Sequence, residues 1–334
     1  MAASWWNRWL KGKSLPTPRR AGPLQLQHLR EQGPGASQTN HGAEAVPPLA
    51  PPSPPGPYAL ATGPAAVYRL GLLHALYGLG TRRLLLEAGL RPGMRVVDLG
   101  CGVGLVTALL ADLVGRRGQA VGIDSSRAQL AQARVLLHPG GTNTSFVKAS
   151  ATATGLPREA FDLVYCRFLL IHLPRPERAL REMHALLKPG GILVCEDGDL
   201  ATAGSEPPSA LGAFADLWGR LGPTKGVDYN LGRRLYQLVR AAGFPAPEVT
   251  FNQPVRARGE AKRFLELSVA EAAPALIGAG LVTAAELKRT LAEMRRLAAD
   301  EAVLAVMPRM AQVWARKPAS HRQIVVAPKV ARTS

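Results

Sequence analysis

The sequence predicts an α/β protein built on a doubly wound, mostly parallel sheet, and three observations carry that reading. The apolar run Val96-Val97-Asp98-Leu99 leads into Gly100-Cys101-Gly102-Val103-Gly104 and then the helix-like Leu105 to Leu110. Glycines at a strand–helix turn let the backbone come close to a ligand. Twenty residues after Gly104, Gln119 to Asp124 reads as a second short strand that again ends in an acid. From residue 95 onward the order is strand, helix, strand, helix, strand, the pattern of parallel strands joined by crossover helices.

Taken in chain order, residues 1–57 are expected to form a separate, disordered, Pro-rich extension. Pro47 to Pro57 is dominated by proline and is expected to be an extended linker. Residues 11–46 are polar with scattered Gly and Pro. Trp5, Trp6, Trp9 and Leu10 alternate with Arg8, Lys11 and Lys13, a short basic Trp-rich segment suited to weak contact with a membrane surface. An unstructured tail is the alternative. In residues 58–90, Val67, Leu70, Leu73, His74 and Tyr77 recur at helical spacing, and Thr81 to Gly89 reads as another helix. A third strand lies near Thr144–Lys148, a fourth over Phe161–Arg167, and a fifth over Ile192–Cys195. Between the last two, Arg178 to Leu187 places Leu180, Met183 and Leu187 on one helix face. Glu196, Asp197 and Asp199 follow the fifth strand, either to meet a ligand or to cap the next loop. Helices are expected over Asn230–Ala242, Lys262–Ile277 and Thr283–Ala299, with strands over Glu248–Gln253 and Met310–Arg316. Residues 319–334 read as a disordered tail.

The glycine pattern is Asp-x-Gly-x-Gly-x-Gly, which differs from the Gly-x-Gly-x-x-Gly of dinucleotide binders. Asp98 would repel a pyrophosphate and suits a ligand with a positive end, while Asp124, at the tip of the second strand, is placed to hold ribose hydroxyls. With Phe161 to Leu173 and Leu186 to Val194 following in order, the chain resembles the class I S-adenosylmethionine-dependent methyltransferases. It looks closest to the bacterial ubiquinone/menaquinone methyltransferase-like group. The resemblance spans residues 58–318 and implies a Rossmann-like sheet of seven strands with an antiparallel edge. In this chain the helices read between the last two strands form an insertion at about 258–308, expected as a lid or a dimer surface.

The resemblance also implies S-adenosyl-L-methionine as cofactor, bound by Asp98, Gly100, Gly102, Gly104, Asp124, Ser125 and Cys166. Ser150 stands where the family commonly has an Asp that accepts from the adenine amino group, and the Ala151 backbone can bind the ring. Losing that carboxylate removes a charge-assisted hydrogen bond. His172, after the fourth strand, is the candidate base for an oxygen acceptor, with a packing or capping role as the alternative. Arg167 is a candidate to orient an anionic substrate or the cofactor carboxylate, or to form a structural salt bridge. Tyr58 and Tyr68 are candidates to line the pocket.

The net charge is +17, spread as +4, +6 and +7 over residues 1–57, 58–249 and 250–334, with no dense basic block. A generally basic surface therefore accounts for it better than nucleic-acid binding. The excess of Arg over Lys, with abundant Ala, Gly and Pro, fits a GC-rich bacterial genome. Cys101, Cys166 and Cys195 show neither metal nor disulfide spacing and suit a reducing, cytoplasmic compartment. No apolar run reaches membrane-spanning length. The expected activity is methyl transfer to a small-molecule acceptor. The alternatives are an RNA-directed methyltransferase or a catalytically weak cofactor-binding module. No Asn-Pro-Pro-Tyr-like motif follows the fourth strand and no Pro-Cys pair is present, which disfavours amino or C5 methylation of bases.

Overall fold

The computed structural model describes residue 60 and residues 64–137 and 143–319. The expectations for the Pro-rich extension, the Trp-rich segment, Tyr58 and residues 320–334 lie outside the described residues.

A 25-residue helix, α1 (Pro64–Ala88), precedes the sheet. The sequence reading divided this span into two helices, with Gly78 and Gly80 between them. The glycines serve packing instead. A Cβ on Gly80 would sit 2.1 Å from Asn252 Nδ2, so any larger residue there would have to displace the Asn252 side chain of the edge strand.

The sheet then builds as β1 (Arg95–Leu99), α2 (Leu105–Val114), β2 (Gln119–Asp124), α3 (Arg127–Leu137), β3 (Thr144–Lys148), β4 (Phe161–Arg167), α4 (Pro176–Leu186) and β5 (Leu187–Asp199). The fifth strand runs longer at both ends than its apolar centre suggests. After a three-residue strand, β6 (Gly204–Glu206), come α5 (Ala213–Lys225) and α6 (Leu235–Ala241), then β7 (Glu248–Asn252) and β8 (Val255–Arg256). The insertion holds α7 (Phe264–Glu271), α8 (Ala273–Gly278) and α9 (Ala284–Ala299), and β9 (Leu304–Val306) and β10 (Arg309–Arg316) close the fold.

Strand order in the main sheet is β3-β2-β1-β4-β5-β10-β7. The first five strands pair in parallel, and β10 pairs antiparallel with both β5 and β7. The seven-stranded, mostly parallel sheet with one reversed strand matches the expectation. A second sheet, β6-β9-β8, was not foreseen; its strands are too short to show a period. The strand order reverses between β1 and β4, and the carboxyl ends on either side of that point are where open α/β sheets bind ligands.

Two further departures have local causes. The expected helix over Lys262–Ile277 is split into α7 and α8, because Pro274 has no N–H to continue the ladder. Helix α5 was not foreseen at all, although Phe214, Leu217, Trp218 and Leu221 are spaced at i, i+3, i+4 and i+7 and all are buried. Helix α9 starts on a capping box in which Glu286 N donates to Thr283 Oγ1 at 3.2 Å and Thr283 N to Glu286 Oε2 at 2.8 Å. Arg295 holds α9 to the buried Glu266 of α7 at 2.9 Å. No helix among the described residues is long and apolar enough to cross a membrane.

Candidate functional site

A cavity of about 380 Å³ opens at the carboxyl ends of β1, β2 and β4. Its two ends are built differently. One end is made of strand tips and the turns that follow them. The other is walled by α1, α5 and α7.

At the strand-tip end, Gly100, Gly102 and Gly104 all have left-handed backbones, with φ of 74°, 54° and 79°. Gly104 needs glycine twice over, since a Cβ there would lie 2.9 Å from Leu137 Cδ1 and 3.0 Å from Phe146 Cζ. Asp124 staples this loop to β2. Its Oδ2 accepts from Gly102 N at 2.9 Å and its Oδ1 from Ser126 N at 2.8 Å. Burial raises its carboxyl above the ordinary range, against those backbone donors, which lower it. Asp98 is buried and accepts from Thr107 Oγ1 at 2.6 Å. Burial dominates there too and pushes its pKa up to about 6, while Thr107 and the charge of Arg167 pull it down.

Asp98, the Gly100–Gly102 turn, Asp124 and Ser125 all line the cavity. Gly104 caps α2 just behind it. Gln129 joins them on the wall, buried, with its Oε1 accepting from no group among the described residues. The sequence carried no signal for Gln129, whose role depends on which face α3 turns toward the cavity. Arg167 also lines the cavity. Its Nη1 donates to Thr81 Oγ1 at 3.2 Å, and its Nη2 lies 3.4 Å from His74 Nδ1.

Three expected cofactor contacts sit elsewhere. Cys166 is wholly buried within the sheet, in register with Cys195 on β5. Alternation along β4 sends its side chain into the core while Arg167, next in line, faces the cavity. Ser150 is exposed, with its Oγ 3.0 Å from Thr152 Oγ1, in a turn where it also accepts from Thr152 N. Neither Ser150 nor Ala151 is part of the cavity wall. Tyr68 is also turned away, donating to Glu260 Oε2 at 2.5 Å.

The three acids expected after the fifth strand lie within its longer run and contact other groups of the protein. Glu196 is fully buried and accepts from Tyr165 OH, from Thr81 Oγ1 at 2.7 Å and from Gln312 Nε2 at 2.6 Å. Asp197 accepts from Ile171 N at 3.1 Å and Gly198 N at 3.0 Å, and burial pushes its pKa up to about 7. Asp199 pairs with Arg233 at 2.9 Å and Arg309 at 3.1 Å. Asp197 thereby holds the turn Leu170–His172 beneath the cavity.

That turn begins at Phe168, whose φ of 50° is unusual for a bulky residue. Gly198 makes room for its ring, since a Cβ there would lie 2.6 Å from Phe168 Cε1, and Tyr77 meets the ring edge-on at 5.7 Å. The turn brings His172 to the cavity wall. His172 is half-buried, and desolvation, aided by the positive charge of Arg69, pushes its pKa down to about 3. That shift keeps the ring neutral and makes it only weakly basic in the free protein.

Residues 97–195 match the family described as methyltransferase domain. That stretch runs from β1 into β5 and holds the glycine turn, Asp98 and Asp124. Over 109 residues the chain is 41% identical to the ubiquinone/menaquinone biosynthesis C-methyltransferase UbiE of Shewanella frigidimarina, covering 32% of this chain and 43% of that protein. The UbiE of Shewanella oneidensis is 39% identical over the same length and shares. The chain thus spans less than half the length of these curated relatives. Among solved structures, the YcgJ protein of Bacillus subtilis overlaps with 18% identity, 73% of this chain, 99% of that chain and a TM-score of 0.49. An arsenic(III) S-adenosylmethionine methyltransferase of Chlamydomonas reinhardtii overlaps with 23% identity, 70% of this chain, 66% of that chain and a TM-score of 0.40. At that level of likeness the solved structures add nothing to the strand order of the methyltransferase domain.

Proposed function

We propose that this protein is an S-adenosylmethionine-dependent methyltransferase acting on a small-molecule acceptor. The observation that carries the reading is the composition of one cavity. Its strand tips present two acids on adjacent strands beside a glycine turn, and its helical wall is largely apolar.

The residues fit the cofactor. Asp98 would take the ammonium of the methionine part, and Arg167, whose charge already reaches Asp98, its carboxylate. Asp124 would hold the ribose hydroxyls with the lone pairs its two backbone donors leave free. The unpartnered Gln129 Oε1 would accept from the ribose or the base. When bound, S-adenosylmethionine supplies a methyl group already activated by the sulfonium charge. The protein's part is to orient the acceptor in line with that group and to exclude water. Leu73, Leu200, Phe214 and Phe264 line the end that would do so.

Enclosure by three helices favours a small acceptor over a base within a nucleic acid. The three free, buried cysteines suit action in the cytoplasm.

The test is calorimetric titration of the full chain with S-adenosylmethionine, beside Asp124→Ala. Micromolar binding is expected in the wild type, weakened about 10- to 100-fold in the variant, the size of a lost charged hydrogen bond. Equal affinity in the two proteins, or none in the wild type, would refute the reading.

A further inference from the structure

The helical wall of the cavity carries two unusual donors. Arg69 of α1 is 3% exposed and sits on the wall. Its Nε lies 2.9 Å from Glu271 Oε2, near enough for an ion pair but outside hydrogen-bond alignment, and its Nη2 has no hydrogen-bond partner among the described residues. Trp218 of α5 is on the same wall, equally buried, and its Nε1 is also without a partner there. A buried N–H with no acceptor is costly, more so on a cation, and folds seldom keep two of them in one cavity. Where such groups persist, the missing acceptor commonly comes from a ligand.

Both donors are held in place. Glu271, which is not part of the wall, fixes the guanidinium through its Nε edge. The Trp218 indole is gripped by Tyr229 at 4.7 Å, edge-on, and by Phe214 at 6.0 Å. His172 meets the other side of Tyr229 at 5.8 Å, so the rings form one rigid row. Preorganised donors lose little freedom when an acceptor arrives. The surfaces around them are apolar.

We infer that Arg69 and Trp218 form an oxyanion-holding subsite for the methyl acceptor, so that the substrate class is a small apolar molecule carrying an anionic oxygen, a phenolate, enolate or carboxylate. This rests on the methyltransferase reading for the cofactor's place at the other end. An acceptor that arrives as an anion needs no proton taken from it before attack.

The test uses the full chain and two ligands of one shape, 2-naphthoate and 2-naphthamide, titrated with and without saturating S-adenosylhomocysteine. The carboxylate should bind at least about tenfold more tightly than the neutral amide. The double variant Arg69→Gln with Glu271→Gln, which leaves no buried charge unpaired, should erase that preference. Trp218→Phe keeps the ring and should weaken 2-naphthoate by about three- to tenfold. S-adenosylhomocysteine affinity should be unchanged in both variants. Equal binding of the two ligands, binding of neither at millimolar concentration, or a preference that survives the double variant would overturn the subsite. A preference for the carboxylate in a protein that does not bind S-adenosylhomocysteine would keep the subsite and remove the methyltransferase reading.

Discussion

At the strand-tip end of the cavity, the groups that face a ligand are backbone atoms and short acids from consecutive βα turns, Asp98 to Gly104 and Asp124 to Ser126. At the helical end they are long side chains from α1, α5 and α7, such as Arg69, Trp218 and Phe264, drawn from segments almost two hundred residues apart. The first arrangement is set by sheet register and by glycine, so a substitution there disturbs fold and ligand together. The second is set by helix packing, so a substitution can change what is recognised and leave the strand-tip end intact. On the proposed function, this difference separates binding of a common cofactor from choice of acceptor.

The largest expected break falls on the strand-tip side. Gly104→Val puts a β-branched residue at φ 79° and drives its Cβ into Leu137 and Phe146. Strain and overpacking together should cost about 4 kcal/mol of stability. Chemical denaturation should show that loss, and titration should show cofactor binding falling with it. A variant as stable as the wild type would mean the turn is not under the constraint its geometry describes.

A smaller effect sharpens the same comparison without disturbing the fold. Asp98 must be ionised to hold an ammonium group, and its pKa lies near 6. Below that value the free protein binds a proton that the complex must release. Cofactor affinity should therefore drop about tenfold per pH unit below 6 and level off above it. Asp98→Asn should weaken binding at pH 7 by about 10- to 100-fold and flatten the profile. A wild-type profile already flat between pH 5 and 7 would place the ammonium elsewhere. Binding of 2-naphthoate at the helical end should not follow Asp98 at all.

The same contrast explains what could be read in the sequence. The parallel strands, the glycine turn, Asp98 and Asp124 were legible because a period of two, glycine spacing and an acid at a strand tip all act over a few residues. The sheet order and its reversed strand followed from the resemblance. Cys166 was misplaced by one step of alternation, since a strand tip does not say which of two neighbours faces out. Ser150 and Ala151 were carried over from the family's pattern, and here they stand off the cavity wall. Arg69 was passed over because an arginine among the apolar residues of α1 looks like a solvated face. Its burial depends on Glu271, and no local pattern links two residues so far apart. Helix α5 was legible and was overlooked, and with it went Trp218.

The smallest effect concerns His172, for which the sequence left a base role and a packing role open. Its folded pKa is lowered from 6.5 to about 3, mainly by burial. It therefore contributes stability that is fully present above pH 6.5 and lost as the pH falls toward 3. His74, lowered to about 3 by burial and by Arg167, acts in the same direction. Asp98 and Asp197 act in the opposite one, because their raised pKa values make stability fall as pH rises through 6 and 7. Between about pH 4 and 6 these four contributions oppose in pairs. His172→Gln removes one of the two rising terms. The stability difference between wild type and variant should then grow by about 1.4 kcal/mol for each pH unit from 4 to 6, whatever packing the substitution loses. Denaturation measured across that range reads the slope directly. If the difference stayed constant with pH while methyl transfer to a neutral phenol fell sharply in the variant, His172 would be titrating in its ordinary range and the base role would be supported.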